Sequence, residues 1–238
     1  TSVSTGAFHS CAVTPDGSVS CWGATGHNRR IPPAGLCGLF EADFEVGGDF
    51  RWRPSSSLSA DLTVNPDFAL IEADVEVINL TRFELYIPEK RPFFLEGNEM
   101  YSQRIQQFYS RRIGRQPRGD APDDAEFENI PTETTILAAA KLTGRSTGGL
   151  SLGALTALTA KETGRAYLDG TGETVTFNAE PPSQYGIVRA QQDFREGATQ
   201  IGGIATVVHR NLPGDDSFDF LSSNAYSLGL DFEHNWGV

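Results

Sequence analysis

The chain has 238 residues, 31 acidic against 19 basic, for a formal net charge of −12. That balance excludes a nucleic-acid binder, which needs a basic face to neutralise phosphates. Apolar residues make up 39% and 25 residues are glycine; no run of about 18 apolar residues exists, so the sequence predicts no transmembrane helix.

The first forty residues differ from the rest. Residues 6–23 read GAFHSCAVTPDGSVSCWG. Two short strands flank Pro15-Asp16-Gly17, where Pro suits the first central position of a turn and Gly the left-handed position. A three-residue loop pairs Val13 with Val19 and Ala12 with Ser20, and sets Cys11 opposite Cys21. That register permits a cross-strand disulfide in an oxidising compartment, leaving Cys37 over. A zinc set of His9, Cys11, Cys21, His27 and Cys37 fits no familiar ligand spacing, so no metal is expected there.

After residue 40 the pattern is period two. Over 43–52, Phe44, Val46, Phe50 and Trp52 share one face; over 57–64, Leu58, Ala60, Leu62 and Val64 do the same. Pro54-Ser55-Ser56 reads as the turn between them. From residue 134 hairpins follow. Strands are expected at 135–143 and 150–160, around the turn 144–148, with Leu155 interrupting an otherwise small and polar face. Further strands are expected at 174–178, 184–194, 199–209 and 225–236. In the last, Tyr226, Leu228, Leu230 and Phe232 alternate with small and acidic residues. Its length and terminal aromatics suit a tilted outer-membrane span. A soluble β-sandwich alternates in the same way, so periodicity alone does not separate the two.

Between these strand groups lies the densest chemistry. Residues 65–97 read NPDFALIEADVEVINLTRFELYIPEKRPFFLEG. Asn65, Asp67, Glu72, Asp74 and Asn79 offer oxygen donors of the kind calcium takes. Glu72, Asp74 and Glu76 share a strand face, as do Arg82 and Glu84. The bland reading is a salt-bridged network fixing an inward-folded segment, with Arg82 and Arg91 as partners for Glu72, Asp74, Glu84 or Glu96. The expected polar site is Asn65, Asp67, Glu72, Asp74, Arg82, Glu84 and Arg91. Phe93, Phe94 and Leu95 are expected to anchor the segment. Pro88 and Pro92 exclude a regular central strand there. Tyr109-Ser110-Arg111-Arg112 is basic and is expected to meet the acidic block rather than lipid head groups. The Pro- and Asp-rich stretch 116–131 reads as a solvated linker. No nucleophile elbow, phosphate loop or dinucleotide fingerprint occurs, so no catalytic residue is assigned.

Residues 65–97, with FYSRRIGR (108–115) and AAAKLTGR (138–145), resemble a family of bacterial outer-membrane β-barrel domains of unknown function. In that family the barrel often follows a carbohydrate-binding module similar to family nine. The resemblance covers about residues 38–238. It implies an all-β, antiparallel outer-membrane-type barrel, incomplete over this length and so an open curled sheet, in the outer membrane of a Gram-negative bacterium. It also implies outer-membrane lipid as a partner, with carbohydrate a further candidate, while the charge balance argues against nucleic acid. His9-Ser10-Cys11-Ala12, Asp16-Gly17 and Cys21-Trp22-Gly23 resemble one repeat of the regulator of chromosome condensation propeller family. A single repeat cannot build a propeller.

The expected organisation is an orphan propeller-like hairpin at 1–37, then a partial barrel at 38–238 with an inserted polar and aromatic segment at 65–130. Without an initiator Met or a leader, the chain is expected to be part of a longer protein. Passage or binding at the cell surface is the leading functional expectation, without cofactor unless calcium binds. The alternatives are a carbohydrate-processing hydrolase, resting on the clustered acids, and a propeller-type interaction protein.

Overall fold

The computed structural model describes residues 3–5, 9–13, 19–23, 47–66, 86–168 and 170–236. Contacts divide the chain into two units. The first gathers Thr1–Asp43, Ala121–Asn129 and Arg165–Phe177; the second holds Phe44–Asp120, Ile130–Gly164 and Asn178–Val238.

In the first unit, β1 (Val3–Thr5), β2 (His9–Val13) and β3 (Val19–Gly23) form an antiparallel sheet. The β2–β3 register places Cys11 opposite Cys21 and Val13 opposite Val19, as the turn chemistry predicts. This unit also pairs β6 (Ala125–Asn129) with β9 (Glu162–Leu168), which in turn pairs with β10 (Glu173–Glu180). Neither β6 nor β9 is expected from the sequence. The stretch 116–131 is therefore not wholly a linker.

The second unit is built on a seven-stranded antiparallel sheet. Its members are β4 (Gly48–Ser55), β5 (Leu58–Val64), β7 (Ile136–Arg145), β8 (Leu150–Thr159), β11 (Ser183–Phe194), β12 (Thr199–Arg210) and β13 (Asn224–His234). Their order is β13-β12-β11-β8-β7-β5-β4, so β4 and β13 are edges and the sheet is open rather than closed into a barrel. Pro54 does not end β4. It sits at a bulge between Trp52 and Ser55 on this edge strand, where a residue without an N–H is tolerated, and the turn falls at Ser56-Ser57.

The two faces of this sheet are inverted relative to a water-soluble layer. Most of the large apolar residues of its strands are exposed. Phe50 (63% exposed), Leu62, Leu142, Leu152, Leu158, Val188 and Leu230 (85%) all stand on the open face. Register carries a row across all seven strands: Trp52, Ala60, Leu142, Ala154, Val188, Ala205 and Leu228. Large and small side chains alternate along it.

The opposite face is covered. It buries Asp61, Thr63, Lys141, Ser151, Thr159 and Arg189. Over it pack the residues that follow position 86, including a single helical turn α1 (Pro92–Leu95) and two short 3-10 turns at Asn98–Tyr101 and Ser110–Arg112. The apolar core lies between this segment and the sheet. Phe94, Tyr101, Phe108 and Ile113 from the segment meet Ile136, Ala139, Leu155, Ala157, Ile187 and Ile204 from the strands. Leu155, which interrupts the polar alternation in sequence, is the β8 contribution to that core. Gly153 lets the segment approach, since a Cβ there would lie 3.2 Å from the Tyr101 ring.

Candidate functional site: a charged cluster under the sheet

Three separated sequence motifs meet on the covered face. Pro92 occupies the first position of α1, where its missing N–H costs nothing and its fixed φ suits the turn. Gly97 follows at φ 68°, a left-handed position that stops the helix. This short turn aims the carbonyls of Phe93 and Glu96 at the sheet. Lys141, 4% exposed on β7, donates to both, at 2.5 and 2.7 Å, and its ammonium lies 4.9 Å from the Phe93 ring centre.

Arg91 makes the second junction. It is 6% exposed and packs 4.3 Å over the Phe94 ring. Its Nη1 donates to the Ile113 carbonyl at 2.6 Å and its Nη2 to the Ser110 carbonyl at 2.8 Å. Nε and Nη2 also grip Glu89 in a fork, both at 2.8 Å. Ser110 Oγ donates to the same carboxylate at 2.5 Å, and Arg111 lies 3.7 Å from it while bonding the Pro88 carbonyl. The Tyr109 hydroxyl bonds both the N–H and the carbonyl of Ile87. Gly114 closes the arrangement at φ 76°, with Ile136 and Arg91 both within 3.3 Å of where a Cβ would stand.

A second charged group lies farther along the covered face. Arg189, 4% exposed, forks onto Asp231 at 2.7 and 3.0 Å, and Gln103 donates to Asp231 at 2.7 Å. Near β4, Arg51 bonds Asp61 and Glu96. Each of these ions is paired or hydrogen-bonded, which offsets the cost of leaving water.

Burial pushes the Glu89 carboxyl up, but the hydrogen bonds and charge of Arg91, with the Ser110 hydroxyl, outweigh it and hold Glu89 down at about 2. A depressed carboxylate contributes stability that is complete above its ordinary pKa and is lost as pH falls through the folded value. Glu89 therefore contributes about 3 kcal/mol that disappears between pH ~4.5 and ~2. Acid unfolding of the chain with Glu89→Gln should be flatter over that window than that of the parent. Superimposable acid profiles would dismiss this assignment.

Of the residues expected to form a polar site, Arg91 and Asn65 are described; Asp67, Glu72, Asp74, Arg82 and Glu84 lie outside the described residues. Arg91 is buried in an ion pair, but with Glu89, which the spacing argument passes over. Glu96, one of its expected partners, bonds Arg51 instead. Asn65 lies just past β5 at φ 42°, its N–H bonded to the Leu137 carbonyl. Phe94 is an anchor, whereas Leu95 and Tyr86 are exposed, with Tyr86 stacked on Tyr109. Lys141, Arg189 and Asp231 were not singled out; a lone charge on the small-residue face of a strand was the available signal. Among the described residues no cluster of three or more His, Cys, Asp or Glu is placed to hold a metal ion. The calcium donors Asp67, Glu72, Asp74 and Asn79 lie outside those residues.

The three motifs joined by Arg91 and Lys141 fall within a family match. A model described as Domain of unknown function (DUF5916) covers residues 36–232. The chain belongs to the DUF5916 family. In this DUF5916 chain the matched span takes in the whole seven-stranded sheet except the last two residues of β13, and all of the segment packed on it. A second model, the Regulator of chromosome condensation (RCC1) repeat, matches residues 1–29, the region of β1–β3. No curated protein and no solved structure matches the chain.

Proposed function

We propose that this DUF5916 chain forms part of the wall of an outer-membrane β-barrel, with residues 86–120 folded into its lumen, and serves passage or binding at the cell surface. One observation carries the reading: the sheet exposes its apolar face and covers its charged one. In water that arrangement leaves a row of large side chains unpaid for by burial. In a bilayer it is the favourable one, since a barrel wall turns apolar residues to lipid and polar residues inward. Among the described residues no helix is long and apolar enough to cross a membrane, which leaves spanning by strands open.

The test is fractionation of the parent protein combined with Val188→Arg. Val188 stands mid-strand on the open face, 52% exposed. The protein should sediment with outer membranes and need detergent for release. In lipid the substitution should cost about 2–4 kcal/mol. In water a surface change of this kind costs within about 0.5 kcal/mol. Detergent-free recovery from the periplasm, with Val188→Arg neutral, would end the proposal.

A further inference from the structure

The covered face holds another concentration of charge that neither cluster uses. A cavity of about 630 Å³ lies between the segment 107–118 and strands β11, β12 and β13. Four arginines line it: Arg112, Arg115, Arg118 and Arg210, with Tyr109 and Tyr185 beside them. No Asp or Glu is among the described lining residues, in a chain whose acids outnumber its bases 31 to 19.

One carboxylate stands behind this wall. Glu180, 3% exposed, accepts from Arg115 Nη2 at 2.8 Å and from the Arg118 N–H at 3.1 Å, and lies 3.8 Å from Arg118 Nη2. Among the described residues Glu180 is thus shared by Arg115 and Arg118, with Arg210 close enough to repel Arg118. Arg210 spends Nη1 on the Ser222 carbonyl at 2.9 Å, while its Nε is buried without a hydrogen-bond partner among the described residues. Burial, and then the like charges of Arg115 and Arg210, push Arg118 below its ordinary value despite Glu180. Like charges gathered around a space with a buried, unsatisfied donor are stabilised by an anion entering it.

We propose that this cavity is an oxyanion site, taking a phosphate-bearing small molecule or the phosphate of a lipid head group. Guanidinium forks match the planar pairs of oxygens that phosphate presents. The volume exceeds what a bare phosphate fills and lies in the range of small-molecule sites. The inference is carried by the arginines, not by the open-face residues Val207 and Tyr226 that also line the cavity, so it does not depend on what the open face of the sheet meets.

The experiment uses the full chain in non-ionic detergent at constant ionic strength, with pyrophosphate replacing chloride. Pyrophosphate should raise the melting temperature and bind saturably below the millimolar range. Arg118→Gln and Arg210→Gln should each weaken that binding by about tenfold, and Arg53→Gln on exposed β4 should leave it unchanged. Arg118→Lys, which keeps the charge but loses the fork, should fall between. Short-chain phosphatidic acid added to the micelles separates the two sources: competition with pyrophosphate assigns the site to a lipid phosphate, and its absence to a soluble one. No saturable binding by the parent up to the order of 10 mM would overturn the proposal without recourse to any variant. So would binding that Arg118→Gln and Arg210→Gln leave intact.

Discussion

Replacing Arg91 by Met should destabilise the chain by about 3–5 kcal/mol. The substitution removes the guanidinium fork on the buried Glu89 carboxylate, leaving it the N–H groups of Lys90 and of residue 91, the Ser110 hydroxyl and the more distant Arg111. It also strips the Ser110 and Ile113 carbonyls of a charged donor. A charge left in a low-dielectric site without its counterion is costly, whereas removing both charges together is not. Adding Glu89→Gln to Arg91→Met should therefore recover part of the loss, and the double-mutant cycle should show strong coupling. Denaturant midpoints followed by tryptophan fluorescence provide the measurement. Additive single and double variants, each within 1 kcal/mol of the parent, would mean that the pair behaves as a surface ion pair.

The second large effect is expected at Lys141. Lys141→Met keeps the length of the side chain and its apolar stem, but removes the ammonium that holds the Phe93 and Glu96 carbonyls. Asp61, buried and opposite Lys141 in the β5–β7 register, also loses a nearby cation, though Arg51 still bonds it. Two charge-assisted hydrogen bonds at about 1.5–3 kcal/mol each set the scale, and the methyl group's burial offsets some of it, leaving about 3 kcal/mol. The loss should be local. Limited proteolysis should cut near α1 before the strands yield, because the turn is held to β7 chiefly by this contact and the Phe94 packing. A variant as resistant as the parent at α1 would show that the core packing alone holds the turn.

Much of the sheet was legible in the sequence. The hairpin of β7 and β8 and the strands β11, β12 and β13 follow from alternation, and their observed bounds lie within a few residues of those expected. β6 and β9 were not legible. AEFEN alternates Ala125 and Phe127 with Glu126 and Glu128, but over five residues in a Pro- and Asp-rich stretch, and ETGRAYL has charges at irregular spacing and no alternating apolar face. Alternation also cannot say which face is covered, because it is symmetric under exchange of the two. That was decided by what packs on the sheet, namely residues 86–120. Arg91 as a buried ion was legible from the density of charge and aromatics around it. Its partner was not: spacing offers Glu72, Asp74, Glu84 or Glu96, whereas in the irregular stretch between Pro88 and Pro92 the Glu89 carboxylate folds back on the guanidinium two residues on. The motifs at 108–115 and 138–145 owe their character to this junction. One supplies the carbonyls that Arg91 needs and the glycine that makes room for it; the other supplies Lys141.

The contacts that seat the segment differ widely in the length of chain they close, and this sets an order on folding. Glu89 and Arg91 are two residues apart, so their fork can form as soon as both have been synthesised. Arg91 next reaches residues 19 and 22 positions on, at Ser110 and Ile113. Lys141 must return across 45 and 48 residues to Glu96 and Phe93, and Asp231 across 128 to Gln103. Longer closures are slower and cost more entropy. The segment thus gains its own internal clasp while most of the sheet that will receive it is still absent, and the strands close over a partly assembled insert, with β13 the last to lock it.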